Sequence, residues 1–193
     1  MILLMLLPAL AAATALAVRG AITSARQLQA QQTGAQAQEA ASLALRQCEA
    51  LAMAGTAADA ADPRMVAVTA TQAEQGWNRL TSWRPGASGL HVTTFAGFGG
   101  RSPGTGQCGF QRLADGAQGL RFIVTARGLS ADAQVSTQTG ALLDGAEAWQ
   151  QALLRKAADP CQNPGASSAA TCTTPGWTRR WRVLVNPPAA SPG

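Results

Sequence analysis

The chain has 193 residues, with 15 basic and 10 acidic side chains and a formal net charge of +5. Its basic residues are scattered along the chain, and we interpret them as ordinary solvated surface residues. Binding to nucleic acid is left open. A single histidine and the absence of a CxxC pair argue against a zinc site.

Residues 1–55 predict one long helix. Residues 1–18 carry no charge, and an Ala- and Gln-rich run continues to Gly55 without a proline after Pro8. At about 1.5 Å per residue this helix measures roughly 80 Å, which a head formed by residues 56–193 cannot bury. We therefore expect the first half to lie in a bilayer or in the core of a helical assembly. The side chains assigned to that core are Ile2, Leu3, Leu4, Leu6, Leu7, Pro8, Leu10, Leu16 and Val18.

A cleavable signal peptide is the alternative for this segment, because Ala11-Ala12-Ala13 and Ala15-Leu16-Ala17 are small-residue sites. We favour a permanent anchor, since the helical pattern continues through both sites. Arg19, Arg26 and Arg46 follow the apolar run, which by the positive-inside rule places that flank in the cytoplasm. The cysteines point to the opposite side, and a basic leader upstream of the first residue would remove the conflict.

The end of the predicted helix is amphipathic. At 100° per residue, one arc of about 120° holds mostly small and apolar side chains. They are Ala41, Ala44, Leu45, Cys48, Leu51 and Ala52. The polar residues Glu39, Ser42, Arg46 and Glu49 lie outside that arc. Cys48 therefore belongs to the face that we expect to pack against the head.

The four cysteines are Cys48, Cys108, Cys161 and Cys172. Their even number and wide spacing, behind an apolar segment, predict two disulfides and an oxidising compartment. Three pairings are possible. We favour Cys48–Cys108, which joins helix to head, and Cys161–Cys172, which closes a Pro- and Ser-rich loop; four unpaired thiols are the alternative.

The composition of residues 56–193 predicts a strand-based head. Strands are expected at residues 65–71, 107–113, 119–127 and 178–185, and residues 146–156 suit either a helix or a strand. Long loops are expected at residues 86–106 and 128–144. Two tryptophans, Trp77 and Trp83, are assigned to core or lid packing.

The last predicted strand carries a basic and aromatic cluster, Arg179-Arg180-Trp181-Arg182. Contact with phosphates or anionic sugars is one interpretation. We favour an ordinary strand in which Trp181 and Val183 point inward and the arginines point outward.

No residue pattern is typical of catalysis. His91 lies in a Gly- and Thr-rich stretch with no acidic residue in the next twenty positions, and the ten acidic residues show no pairing. The glycine-rich stretches at residues 97–100 and 104–106 lack the GK[ST] of a phosphate-binding loop. We therefore predict no enzyme activity, no cofactor and no bound metal.

Four stretches carry a resemblance to a known family. Residues 2–18 followed by Arg19, the segment QAQEAASLALRQCEA at 36–50, FIVTARG at 122–128 and EAWQQALLR at 147–155 are similar to segments of type IV pilins. The closer resemblance is to PilX-type minor pilins.

This resemblance implies an α+β, type IV pilin-like fold with a long helix packed on a four-stranded antiparallel sheet, in which residues 146–156 form a strand. It implies a single-pass inner-membrane protein with a periplasmic head that enters an extracellular pilus used for adhesion, aggregation or twitching motility. The implied partners are other pilin subunits, inner-membrane assembly proteins and host or abiotic surfaces, met by the loops at 86–106 and 128–144.

The chain also departs from the pilin pattern. Prepilins have a basic leader, a glycine at the cleavage site and a glutamate five residues into the mature chain, and none of these is present in the sequence. We expect either that the chain begins within the transmembrane segment or that it is a divergent relative. The alternatives are a pseudopilin of a type II secretion system, a Tad-type pilus protein and a secreted binding module with a cleaved signal.

Overall fold

The computed structural model of the protein describes residues 2–54, 67–87, 91–94, 104–114, 120–156 and 176–184. For residues 2–13, 15, 91, 93 and 94 it describes the backbone alone.

The first element is a single helix, α1, which extends over Ile2–Ala54. Its 53 residues correspond to roughly 80 Å of length, as predicted for residues 1–55. Alanine and glutamine favour helix, and the element continues through Pro8. The predicted helix is confirmed in type and in extent.

The strands of the head are, in chain order, β1 His91–Thr94, β2 Thr105–Arg112, β3 Leu120–Leu129, β4 Gln134–Val135, β5 Leu142–Asp144, β6 Glu147–Lys156 and β7 Trp177–Leu184. Five of them form an antiparallel sheet in the order β1-β2-β3-β6-β7. Its four long strands form the body of the sheet, as predicted, and the short β1 adds a strand at one edge. The segment at 146–156 is thus a strand, and the architecture of a long helix packed on an antiparallel sheet is confirmed.

The second half of α1 packs on one face of this sheet. Its inward side chains recur three or four positions apart, the spacing at which side chains share one face of a helix. The buried set is Ala37, Ala40, Ala41, Ala44, Leu45, Cys48, Glu49 and Ala52. Against them the sheet places Cys108, Phe110, Phe122, Val124, Ala126, Ala152 and Leu154. This interface between helix and sheet is the main core.

Two residues of the amphipathic arc differ from the prediction. Leu51, expected inside, is 37% exposed, and Glu49, expected outside, is 7% exposed. At 100° per residue, Leu51 lies between Ala40 and Ala44, inside the buried arc, so its angle around the helix does not account for its exposure. Glu49 lies at the edge of that arc, where Arg179 of β7 reaches it.

A second layer covers part of the opposite face. It consists of α2 (Ala70–Trp77), a 3₁₀ turn (Leu80–Trp83) and a hairpin of β4 (Gln134–Val135) and β5 (Leu142–Asp144). Trp83 is 3% exposed and meets Trp149 edge-on at 4.8 Å between ring centroids. The prediction of core packing is confirmed for Trp83.

Three head predictions need correction. Of the strand expected at 65–71, residues 65–66 lie outside the described residues and Val68 forms only an isolated bridge to Leu113. The rest is wrong, because Thr69 caps α2 through a capping box with Gln72. The stretch at 128–144 contains the β4–β5 hairpin, and β1 interrupts the one at 86–106. These elements are short, so tertiary contacts rather than local periodicity decide them.

Candidate functional site

The candidate site is the surface of α1 and its junction with the head. We call residues 16–32 the exposed segment and residues 37–52 the embedded segment. Every residue of the exposed segment is solvent-exposed. Its large apolar side chains are among them: Leu16 is 69% exposed, Val18 58%, Ile22 49% and Leu28 59%.

These four side chains do not form one stripe. At 100° per residue, Leu28 lies about 120° from Leu16 around the helix axis, while Val18 and Ile22 lie about 200° and 240° from it. Apolar side chains thus project in several directions from a segment that also carries Arg19, Arg26 and several glutamines. The exposed segment therefore offers apolar contacts on more than one side.

The embedded segment is held by a disulfide. Cys48 of α1 bonds to Cys108 of β2, with both residues almost fully buried. The predicted pairing of these two cysteines is confirmed. Cys161 and Cys172, predicted to form the second disulfide, lie outside the described residues.

Polar contacts fix the embedded segment toward β6 and β7. The Nε2 of Gln150 donates to Ser42 Oγ at 2.8 Å and to the Gln38 carbonyl oxygen at 3.4 Å. The Nε of Arg179 donates to Glu49 Oε1 at 2.6 Å. Gln150 and Glu49 are buried, so these bonds satisfy groups that water does not reach. No local pattern in the sequence indicates either contact, since the partners lie more than a hundred positions apart.

Close approach of helix and sheet depends on one glycine. A Cβ built on Gly128 of β3 would lie 1.9 Å from the Ala37 carbonyl oxygen and 2.3 Å from the Ala41 nitrogen. The register neighbours of Gly128 are Gly106 and Ala148, so a row of small residues crosses the sheet beneath the helix. Only glycine leaves room here, because the backbone of α1 occupies the position of a side chain.

On the opposite face, a buried cation anchors the hairpin. Arg127 is fully buried; its Nε donates to Glu147 Oε2 at 2.8 Å and its Nη1 to the Gly140 carbonyl oxygen at 2.7 Å. Burial lowers the pKa of Arg127, and the charge and hydrogen bond of Glu147 oppose that shift. The guanidinium also lies 5.2 Å from the Trp149 ring centroid. This cluster positions the β4–β5 hairpin and has no exposed reactive group.

The β7 cluster differs from its predicted arrangement. Trp181 is 57% exposed and Val183 is 43% exposed, although both lie on the helix-facing side of the sheet. Arg179 shares that side, while Arg180 and Arg182 lie on the other. The prediction of an inward Trp181 is wrong because α1 packs mainly on β2, β3 and β6, and β7 lies beyond its cover.

The other predicted site residues are placed as follows. The residues from Ile2 to Leu10 lie in α1, but their side chains are outside the described residues, whereas Leu16 and Val18 are described and exposed. Among the helices whose side chains are described, none is both long and apolar enough to cross a membrane. The side chain of His91 is not described.

Within the described ranges, no three His, Cys, Asp or Glu side chains come together as metal ligands would. The expected absence of enzyme activity, cofactor and metal stays a prediction.

Comparisons of the chain with models of protein families, with curated proteins and with solved structures find no match. The arrangement of a long N-terminal helix on an antiparallel sheet is consistent with a pilin-like fold.

Proposed function

We propose that the chain is a minor pilin-like subunit of the PilX type. In this proposal it takes part in type IV pilus assembly and in adhesion, aggregation or twitching motility that depends on pili. The observation that carries the proposal is the contrast within α1, where one segment is fixed to the head and the other exposes apolar side chains in several directions. A helix built in this way presents a folded head at one end and a surface for other helices at the other.

The mechanism is assembly. The apolar N-terminal part of α1 first partitions into the inner membrane, with the head in the periplasm. It then exchanges lipid for the helices of neighbouring subunits, whose side chains surround residues such as Leu16 and Ile22. The Cys48–Cys108 bond keeps helix and head together during this exchange.

Site-specific photo-crosslinking in cells that make the protein tests this function. A photo-reactive phenylalanine analogue replaces Leu16 or Ile22, and in the control it replaces Leu143, which is 69% exposed on the β4–β5 hairpin. We expect the chain in sheared pilus fractions, with crosslinks to other pilin subunits from Leu16 and Ile22. Crosslinks from Leu143 should be weaker or go to different partners.

Three outcomes contradict the proposal. Recovery of the chain as a free monomer in the medium, shortened at its N-terminus, would favour a secreted module. Crosslinks to subunits of a secretion system would favour a pseudopilin. Pili and motility that are unaffected by deletion of the gene would remove the functional part of the proposal.

A further inference from the structure

The strand β7 is an edge of the sheet. It comprises the eight residues Trp177–Leu184 and is the last strand in the order of the sheet. Among the described residues, it pairs only with β6. At about 3.4 Å per residue, roughly 27 Å of backbone has one side without a partner in the described part of the chain. A row of unpaired N–H and C=O groups is a template for an added strand.

The helix-facing side of β7 offers an apolar shelf. Trp181 and Val183 project on this side with 57% and 43% of their surfaces exposed. Trp177, on the same side, contacts Phe122 at 6.1 Å between ring centroids and is partly buried. The apolar surface is therefore concentrated at positions 181 and 183, two residues apart and on one face.

The other side of β7 carries positive charge. Arg180 has no carboxylate partner among the described residues, and Arg182 bonds to the neutral Gln151 Oε1 at 2.8 Å from Nη2. Among the described residues, two cations without a carboxylate partner thus alternate with two exposed apolar side chains along one strand. Arg179 is different, because Glu49 already neutralises it.

The two edges of the sheet are not equivalent. The other edge is β1, which has only four residues. Short edge strands are one way in which proteins prevent edge-to-edge pairing. The edge at β7 has twice that length and exposes a tryptophan.

We propose that β7 binds an extended segment of a partner protein as an added strand, and that this segment alternates apolar and acidic residues. Its main chain pairs with the open edge of β7. Its apolar side chains pack on Trp181 and Val183, and its carboxylates pair with Arg180 and Arg182. Charge complementarity selects an acidic segment, and the alternation follows from the period of two along a strand. This inference goes beyond the proposed function and does not depend on it.

A peptide-binding experiment on the full chain in mild detergent tests the charge pattern. The probes are fluorescein-labelled peptides of eight residues with blocked ends, alternating valine with glutamate or valine with lysine, and the readout is fluorescence anisotropy. We expect the glutamate peptide to bind at least about tenfold more tightly than the lysine peptide. In an Arg180→Glu/Arg182→Glu variant this preference should reverse.

Two controls accompany the charge reversal. Arg19→Glu/Arg26→Glu changes the net charge equally but lies in the exposed segment, and it should leave the preference unchanged. For the apolar shelf, Trp181→Ala should weaken binding by about tenfold, whereas Leu143→Ala, at another exposed apolar residue, should not. Both tryptophan and leucine here are exposed, so folding should be retained, and circular dichroism checks this.

Backbone methylation separates strand addition from simple charge attraction. In an added strand, the N–H groups of every second residue face the edge. Two glutamate peptides, N-methylated at all valines or at all glutamates, should therefore differ: one should lose about tenfold in affinity, and the other should keep most of it.

Three results would overturn the inference. These are equal binding of both methylated peptides, no effect of Arg180→Glu/Arg182→Glu on charge preference, or tighter binding of duplex DNA with the same dependence on the two arginines.

Discussion

The exposed segment (residues 16–32) and the embedded segment (residues 37–52) belong to one continuous helix, α1. The exposed segment is accessible throughout, whereas the embedded segment buries eight residues against the head. The inward side chains of the embedded segment are mostly alanines, which let the helix approach Gly128 closely. The exposed segment instead spreads its larger apolar residues around the axis. Both segments are helical, so what distinguishes them is the surface that each one meets.

The largest expected effect comes from removing the Cys48–Cys108 disulfide, which holds the embedded segment to the head. Cys48→Ala/Cys108→Ala opens a loop of 60 residues, for which the chain-entropy relation gives about 4 kcal/mol of lost unfolding free energy. Urea unfolding followed by tryptophan fluorescence measures this loss. The control Thr23→Ala/Thr33→Ala, in the same helix, should leave the urea midpoint nearly unchanged. An unchanged midpoint for the cysteine variant would contradict a stabilising role of the disulfide.

The next effect tests the close approach. Gly128→Ala places a methyl group against the backbone of the embedded segment, and we expect about 3 kcal/mol of destabilisation from overpacking. Gly20→Ala is the matched change in the exposed segment, where a Cβ meets no atom within 4 Å. It should stabilise the helix by up to about 1 kcal/mol. Equal effects of the two substitutions on the urea midpoint would contradict the close approach of the helix to the sheet at Gly128.

A leucine pair compares the two segments directly. Leu45→Ala removes a side chain that is 1% exposed and should lower the unfolding free energy by about 2–3 kcal/mol. Leu28→Ala removes one that is 59% exposed and should cost under about 0.5 kcal/mol in the isolated chain. The order should reverse in a count of subunits recovered in pili. If Leu28→Ala assembles normally, the exposed segment does not serve as the helical interface.

The smallest effect concerns the ion pair between Glu49 of the embedded segment and Arg179 of β7. Glu49→Gln removes one charge of the pair with Arg179, whose side chain is 40% exposed, so water screens the interaction and about 1 kcal/mol is expected. Glu39→Gln, at an exposed position of the same helix, should change the urea midpoint very little. A loss at Glu39 as large as that at Glu49 would show that general charge, not the pair, matters.

Much of this arrangement could be predicted from local sequence signals. The Ala- and Gln-rich run without proline after Pro8 determines α1, and the three-and-four spacing around Cys48 identifies the face that packs on the head. The β-branched and aromatic residues around Phe122 identify β3. These signals are local, because helix and strand periodicity depend on residues a few positions apart.

The tertiary structure decided the remaining features. Glu49 is buried because Arg179 of β7 reaches it, whereas Leu51 is exposed although it shares its side of the helix with the buried Ala40 and Ala44. Trp181 is exposed because α1 does not cover β7, although the alternation along the strand places it on the helix side. Which side chains are covered depends on the lateral position of the helix on the sheet. Contacts between residues 60 or more positions apart, such as Cys48–Cys108 and Ser42–Gln150, set that position, and no local pattern encodes them.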